Sequence, residues 1–177
     1  MAREGRHDVG REQDPLGPFA GERKDQIAAT LEWPARFAND PRLDPQYNRP
    51  EDIARMVALR WTGWWDDIPS HFPAMRFEEE ATEALRMAGG LDAVERRARE
   101  LLAAGNSRLA ARLADWACFG APDDARALKL TVDVYLARLM EPGMPLQESQ
   151  VYLAHAAKAR ARLELLTPPN PAPRPRR

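Results

Sequence analysis

A succession of helix-favouring segments separated by glycine and proline constrains the fold of this chain more than any other feature. Gly89 and Gly90, Gly105, and Gly120 stand where helices are expected to end. Asn106 is well suited to cap the helix that follows Gly105. No segment alternates β-branched and polar residues with the period of a strand, so we expect an all-α fold without a sheet. The predicted helices cover residues 77–88, 91–104, 107–119, 122–140 and 147–166.

The first part of the chain contains less helix. Residues 25–32 form a short amphipathic segment, and 34–38 are expected to start a further helical turn. Residues 39–49 contain Pro41 and Pro45 and are predicted to be a loop. Pro50 then stands at the first-turn position of another helix, with Glu51 and Asp52 suiting its positive end.

Three of the five tryptophans fall within five positions at the end of that helix, at Trp61, Trp64 and Trp65. The spacing of Ile53, Met56, Val57, Arg60, Trp61 and Trp64 is that of one helix face, which we expect to be buried. Gly63 lets the backbone leave the helix, and Asp66-Asp67-Ile68-Pro69 predicts a turn. Indoles are costly to leave in water.

These tryptophans could also stack a ligand or nucleic-acid bases. Because the net charge is −1 and there is no basic groove, nucleic acid is not expected as a partner. Core packing together with a protein contact is the better interpretation. The candidate core or interface residues are Met56, Trp61, Trp64, Trp65 and Phe72.

The composition points to a protein without membrane spans or disulfides. The single cysteine, Cys118, lies among apolar residues and is interpreted as a buried structural thiol. No apolar run approaches the ~20 residues that cross a bilayer, and the first residues lack the apolar core of a signal peptide. We expect a cytoplasmic protein with no membrane partner.

The middle of the chain has the character of a tetratricopeptide-like helix-turn-helix hairpin. Alanines recur where two helices must approach closely, and one unit of roughly 34 residues is visible. The expected organisation is a flexible lead over 1–21, a helical array over 22–166, and a flexible proline- and arginine-rich tail over 167–177. The basic tip of that tail, Arg174, Arg176 and Arg177, is most simply solvated but could touch an acidic partner surface.

The sequence contains no convincing set of catalytic or metal-binding residues. Asp66, Asp67 and His71 could form a weak metal site, but aspartates in a turn more often bond their own backbone. His155 lies between alanines on the last predicted helix and is expected on a surface or interface. We therefore predict no catalytic residue, no metal and no cofactor.

Several segments resemble the all-helical dimerisation domain of bacterial alkyl sulfatases. The block 60–69 is similar to the family's Leu-Gly-Trp-Phe/Trp-Asp-Gly-Asn-Pro helix end, and 25–34 to its entry helix. Residues 85–90 are similar to its Leu-Ala-Gly-Gly segment. Residues 104–113 are similar to Gly-Asp-x-Arg-x-Ala-Ala-x-Leu, and 119–128 to Ala-x-Pro-x-Asn-x-x-Ala-Arg-x-Leu. These motifs stand in the family's order and spacing over about residues 25–140.

The resemblance implies an assembly module that lacks the zinc-dependent catalytic domain of the full enzymes. In full alkyl sulfatases this domain follows a metallo-β-lactamase-type catalytic domain that holds two zinc ions with a His-x-His-x-Asp-His motif, and precedes a sterol-carrier-like domain. This chain has three histidines, and none has a second histidine or a cysteine at ligand spacing. Two positions depart from the pattern. Of the family's segment beside the substrate channel, only Tyr47 and Asn48 have counterparts in this chain. Asp67 stands where the family has a glycine.

Three functions are compatible with the sequence. The favoured hypothesis is a non-catalytic interaction module that forms a homodimer or joins a separate metallo-β-lactamase-type hydrolase. The runner-up is an accessory subunit of a split zinc-dependent alkyl-sulfatase-like hydrolase, with Tyr47 and Asn48 lining its channel. A helical protein that binds a small ligand through the tryptophans is the third hypothesis.

Overall fold

The fold is seen in a computed structural model that describes residues 21–30, 34–37, 40–43, 46–73 and 75–167. Within these residues the regular structure is helical, with seven α-helices and no strand. This confirms the predicted all-α class. The residues group into two compact units, divided after Pro73. The expected tails, 1–21 and 167–177, lie almost entirely outside the described residues.

Unit 1 is built on two helices that pack against each other, α1 (Lys24–Thr30) and α2 (Pro50–Thr62). Pro50 begins α2 as predicted, because proline needs no hydrogen-bond partner in the first turn. The expected helical turn at 34–38 is only a hydrogen-bonded turn over its described residues, in which the Phe37 N–H donates to the Pro34 carbonyl at 2.7 Å. A short 3-10 helix, Pro41–Leu43, lies within the predicted loop.

The end of α2 follows the predicted stop and turn. Gly63 has a φ of 82° and donates its N–H to the Leu59 carbonyl, which closes the helix. Asp67, at the position where the family pattern has glycine, adopts a left-handed φ of 69°. Aspartate tolerates this region better than most residues do. A second 3-10 helix, Pro69–His71, completes the turn.

Unit 2 contains the remaining five helices. Asn106 caps the third of them as predicted, its side chain accepting the Leu109 N–H at 3.2 Å. Asp124 caps the next by accepting the N–H groups of Arg126 and Ala127, so that helix starts later than predicted. The helices are α3 (Phe77–Met87), α4 (Leu91–Ala103), α5 (Ser107–Gly120), α6 (Ala125–Leu139) and α7 (Leu146–Leu166). The longest helix is therefore α7, with 21 residues.

Helix α5 lies at the centre of unit 2 and packs against α3, α4 and α6, while α6 also packs against α7. Small residues allow these close approaches, since Ala110, Ala114 and Ala117 of α5 are fully buried. At Gly120 the backbone of α5 lies close to the backbone of α3. A Cβ placed there would lie 2.9 Å from the carbonyl oxygen of Ala81. Glycine is thus required by the packing of two helix backbones.

A buried arginine of α6 forms hydrogen bonds with residues of α5 and α7. Arg138 of α6 is 1% exposed. Its guanidinium donates to the Ser107 hydroxyl at 3.1 Å, to Glu148 of α7 at 2.5 Å, and to Glu141. These acceptors raise the pKa of Arg138 against the opposing effect of burial. The buried charge therefore fixes α7 against the start of α5.

None of the helices in the described ranges is both long and apolar enough to span a bilayer.

Candidate functional site

Unit 1 carries a set of large apolar side chains, on α2 and in the turn that follows it, that are exposed. We call this set the tryptophan face; its members are Ile53, Met56, Val57, Trp61, Trp64 and Phe72, and each of them is exposed by more than two fifths. Trp61 is 63% exposed and Trp64 is 67% exposed. The expectation that this helix face is buried within the chain was wrong. Met56, Val57 and Trp61 share one side of α2 as predicted, whereas Trp64 follows the end of α2 at Thr62. Helix α1 covers a different side of α2.

The side of α2 that α1 covers is lined by small residues. Ala58 is 1% exposed, and Ile27 and Ala28 of α1 are nearly as buried. Val57, next to Ala58 in the chain but about 100° away around the helix, points away from this contact and is 45% exposed. One contact with α1 therefore leaves the apolar stripe of α2 open.

A buried lysine holds the end of α2 against the start of α1. The Nζ of Lys24 donates to the Gly63 carbonyl at 3.0 Å and also to the Trp65 carbonyl. Both carbonyls follow the last turn of α2, where a cation is favoured by the helix dipole. Lys24 fixes the direction in which the chain leaves α2, and so positions Trp64. Sequence reasoning missed this residue, because no pattern distinguishes it from a surface lysine.

The turn after α2 holds three aromatic rings close together. Phe72 lies 5.6 Å from Trp64 and 6.0 Å from Trp65, measured between ring centroids. Trp65 is half-buried, and its indole N–H donates to the Ile68 carbonyl at 3.0 Å. Trp65 thus acts as the anchor of the turn, while Trp64 and Phe72 present their rings to the outside.

The polar residues of the turn shape the backbone. The ring Nδ1 of His71 lies 2.7 Å from a carboxylate oxygen of Asp66, whose other oxygen accepts the Ile68 N–H at 3.2 Å. The hydrogen bond with His71 lowers the pKa of Asp66 below its ordinary value. Within the part of the chain that the structure describes, no group of three potential metal ligands comes together, at Asp66, Asp67 and His71 or elsewhere.

The two candidate channel residues lie outside any regular element, just before α2. Tyr47 is mostly exposed and Asn48 is partly exposed. They occupy a bend in unit 1 that precedes the N-terminus of α2. The structure leaves the Tyr47 ring accessible, with 64% of the residue exposed.

In unit 2, the buried Tyr135 is hydrogen-bonded to the partly buried Asp115, a pair that sequence reasoning missed. The hydroxyl of Tyr135 on α6 donates to the carboxylate of Asp115 on α5 at 2.6 Å. Burial raises the pKa of Asp115, and burial with the nearby carboxylate strongly raises that of Tyr135. Asp115 and Tyr135 line a groove to which His155 also contributes, and His155 is exposed, as expected. Helical spacing alone gives no signal for a pair formed across two helices.

Cys118 is partly buried on α5, and burial raises the pKa of its thiol. A raised thiol pKa disfavours the nucleophilic thiolate. The side chain of Cys118 is less buried than the sequence predicted.

Taken together, the described residues define a class of all-helical protein with one outward-facing aromatic helix face. The sequence model of the alkyl sulfatase dimerisation family matches residues 23–162, which is most of the chain. The chain belongs to this family of dimerisation domains. None of the curated proteins matches it.

Solved structures of a sec-alkyl sulfatase share the fold. The stereoselective inverting sec-alkylsulfatase Pisa1 from Pseudomonas sp. matches with a TM-score of 0.74 at 22% sequence identity. A double mutant of the sec-alkyl sulfatase PisA1 matches equally well. Each match covers 81% of this chain and 23% of the sulfatase. The chain therefore spans about a quarter of the length of these enzymes.

Proposed function

We propose that this chain is a non-catalytic homodimerisation module in which the tryptophan face of one copy covers that of a second copy. The observation that carries the proposal is the exposure of Trp61, Trp64 and Phe72, each more than 60% exposed. Family membership supports self-association, since the family is one of dimerisation domains. We further propose that residues 22–166 act as one module in the cytoplasm.

The composition of the tryptophan face suits a twofold interface. Tryptophan, methionine and phenylalanine are enriched at the centres of protein interfaces. Arg60 is the one charged side chain on the same side of α2; it is exposed, and arginine is also enriched at protein interfaces. A stable dimer buries roughly 800 Å² on each partner. Six large apolar side chains, each more than two fifths exposed, supply most of such an area.

Light scattering after size-exclusion chromatography tests this proposal. The chain should run with twice its monomer mass at micromolar concentration and dissociate on dilution. Trp61→Ala should shift the mass to that of the monomer without unfolding the protein, because the ring contributes little to the inside of the unit. A wild-type protein that stays monomeric at 100 times that concentration would rule the proposal out.

A second candidate function is that of an accessory subunit joined to a separate zinc-dependent alkyl-sulfatase-like hydrolase. The observation that favours it is the coverage of the solved enzymes, of which this chain matches 23%. In such a complex Tyr47 and Asn48 would line the substrate channel beside the catalytic chain. Mixing the protein with a candidate hydrolase and measuring zinc-dependent sulfatase activity tests it. Tyr47→Ala should then lower activity while leaving the mass of the homodimer unchanged.

A further inference from the structure

A groove lies over α6 in unit 2, between α5 and α7, and we call it the α6 groove. Its floor is one side of α6, formed by Leu128, Thr131 and Tyr135 at the i, i+3, i+7 spacing of a helix face. Phe119 of α5 and Ala159 of α7 line it from either side. Its volume of about 580 Å³ falls within the range of roughly 300–1,000 Å³ that is typical of small-molecule sites.

The polar groups on the floor of the α6 groove already have hydrogen-bond partners. The hydroxyl of Thr131 donates to the Ala127 carbonyl at 2.8 Å. The hydroxyl of Tyr135 donates to the carboxylate of Asp115 at 2.6 Å. Hydrocarbon can therefore cover this floor without leaving a buried donor unpaired, and the interior of the groove suits an apolar group.

The α7 side of the groove carries one positive charge that the existing ion pairs do not offset. Lys158 and Arg162 stand one turn apart on α7, and both line the groove. Arg162 donates to Asp123 at 3.2 Å, so these two charges offset each other. Glu78, the other acid in this lining, pairs with Arg76 at 3.6 Å. No acidic side chain in the described ranges pairs with Lys158.

His155 adds a hydrogen-bond donor one turn before Lys158. Both side chains line the groove and are exposed. Asp115 lies where the groove continues past Tyr135, together with Arg112, so its negative charge has a cation nearby. A ligand carboxylate beside Lys158 would therefore meet an uncompensated cation, with which it can form a charge-assisted hydrogen bond.

We propose that the α6 groove binds a medium-chain aliphatic carboxylate, with its head group beside Lys158 and His155 and its hydrocarbon chain over Leu128 and Phe119. The anionic head follows from the uncompensated charge of Lys158, and the hydrocarbon chain follows from the satisfied, apolar floor. Between Leu128 and Tyr135 the groove runs for about 10 Å along α6, which sets the length of chain that it can cover. The site lies in unit 2 and does not depend on the tryptophan face.

The single cysteine of the chain reports whether the groove is occupied. Cys118 lines the α6 groove, so bound decanoate should slow its reaction with iodoacetamide. The alkylation rate of the full chain is measured by mass spectrometry at increasing decanoate concentration, and the concentration of half-maximal protection gives the Kd. Nuclear Overhauser effects between the decanoate methylene groups and the ring protons of Phe119 provide a second readout that does not require the thiol to react.

Two matched variants test the role of the charge. Lys158→Met should raise the Kd for decanoate about fivefold, the upper value for an exposed ion pair. Arg160→Met removes the same charge from the same helix and should leave the Kd unchanged, because Arg160 is exposed about 200° around α7 from Lys158. Decyltrimethylammonium, which has a similar chain and the opposite charge, should protect Cys118 only at higher concentrations.

Protection by decanoate that Lys158→Met weakens and Arg160→Met does not would support the proposal. Equal protection by decyltrimethylammonium, or an equal effect of the two variants, would overturn the choice of an anion. Decanoate that shows no Overhauser effect to Phe119 and leaves the alkylation rate unchanged would overturn the site itself. Binding that is lost in Trp61→Ala would place the ligand on the tryptophan face and overturn the proposal as well.

Discussion

Replacing Trp64 with alanine should weaken homodimerisation by about three orders of magnitude. Trp64 is 67% exposed in the single chain. A tryptophan presents up to about 250 Å², so about 170 Å² of this side chain is open. Covering half of that area contributes about 2 kcal/mol at about 25 cal/mol per Å². A twofold interface contains the residue twice, so the loss is about 4 kcal/mol per dimer, or roughly 1,000-fold in Kd.

Sedimentation equilibrium over a range of protein concentrations measures this change in Kd. The thermal stability of the monomer should fall little, because within the chain the exposed ring of Trp64 makes an aromatic contact with Phe72, a contact worth about 1 kcal/mol. Met140→Ala is the matched control. That side chain is 83% exposed but belongs to unit 2, so its loss should leave the Kd unchanged.

Two outcomes would refute the reasoning about the tryptophan face. A Trp64→Ala protein that dimerises with the wild-type Kd would show that the ring is not part of the interface. An equal loss of affinity in Met140→Ala would place the contact on unit 2 instead.

Three further substitutions test the packing of each unit. Gly120→Ala should destabilise unit 2 by about 1–3 kcal/mol in urea unfolding, because the new Cβ meets the Ala81 carbonyl. Glu148→Ala should cost about 3 kcal/mol by leaving the buried charge of Arg138 without its 2.5 Å partner, and adding Arg138→Met should recover part of that loss. Asp67→Gly should stabilise unit 1 by up to about 1 kcal/mol, measured by tryptophan fluorescence, because it relieves the left-handed φ of 69°.

Each of these has a result that would count against it. Unchanged stability in Gly120→Ala would mean that α3 and α5 can separate freely. Additive losses in the Arg138 and Glu148 double variant would show that the two side chains do not act as a pair. A loss of stability in Asp67→Gly would assign the aspartate side chain a contact of its own.

The helix positions in unit 2 could be predicted from the sequence because their ends are set locally. Gly105 and Asn106 specify one helix boundary through backbone freedom and a side-chain cap. The start of α6 was misplaced by three residues, since Pro122, Asp123 and Asp124 all favour a helix start and only Asp124 makes the capping bonds.

The exposure of the tryptophan face could not be predicted from helical spacing. Spacing shows that Met56, Val57 and Trp61 share one side of α2, but not what covers that side. In this chain α1 covers the alanine side around Ala58 instead. Contacts such as that of Lys24 with the end of α2 join residues some 40 positions apart, and no local pattern reports them.

The most direct test of the account is to observe the contact between two copies of the tryptophan face. Protein with ¹³C-labelled methionine methyl groups is mixed with unlabelled protein, and nuclear Overhauser effects between chains are recorded. The account predicts intermolecular signals between the Met56 methyl group and tryptophan ring protons of the other copy. A dimer whose intermolecular signals arise only from Met87 or Met140 would contradict it.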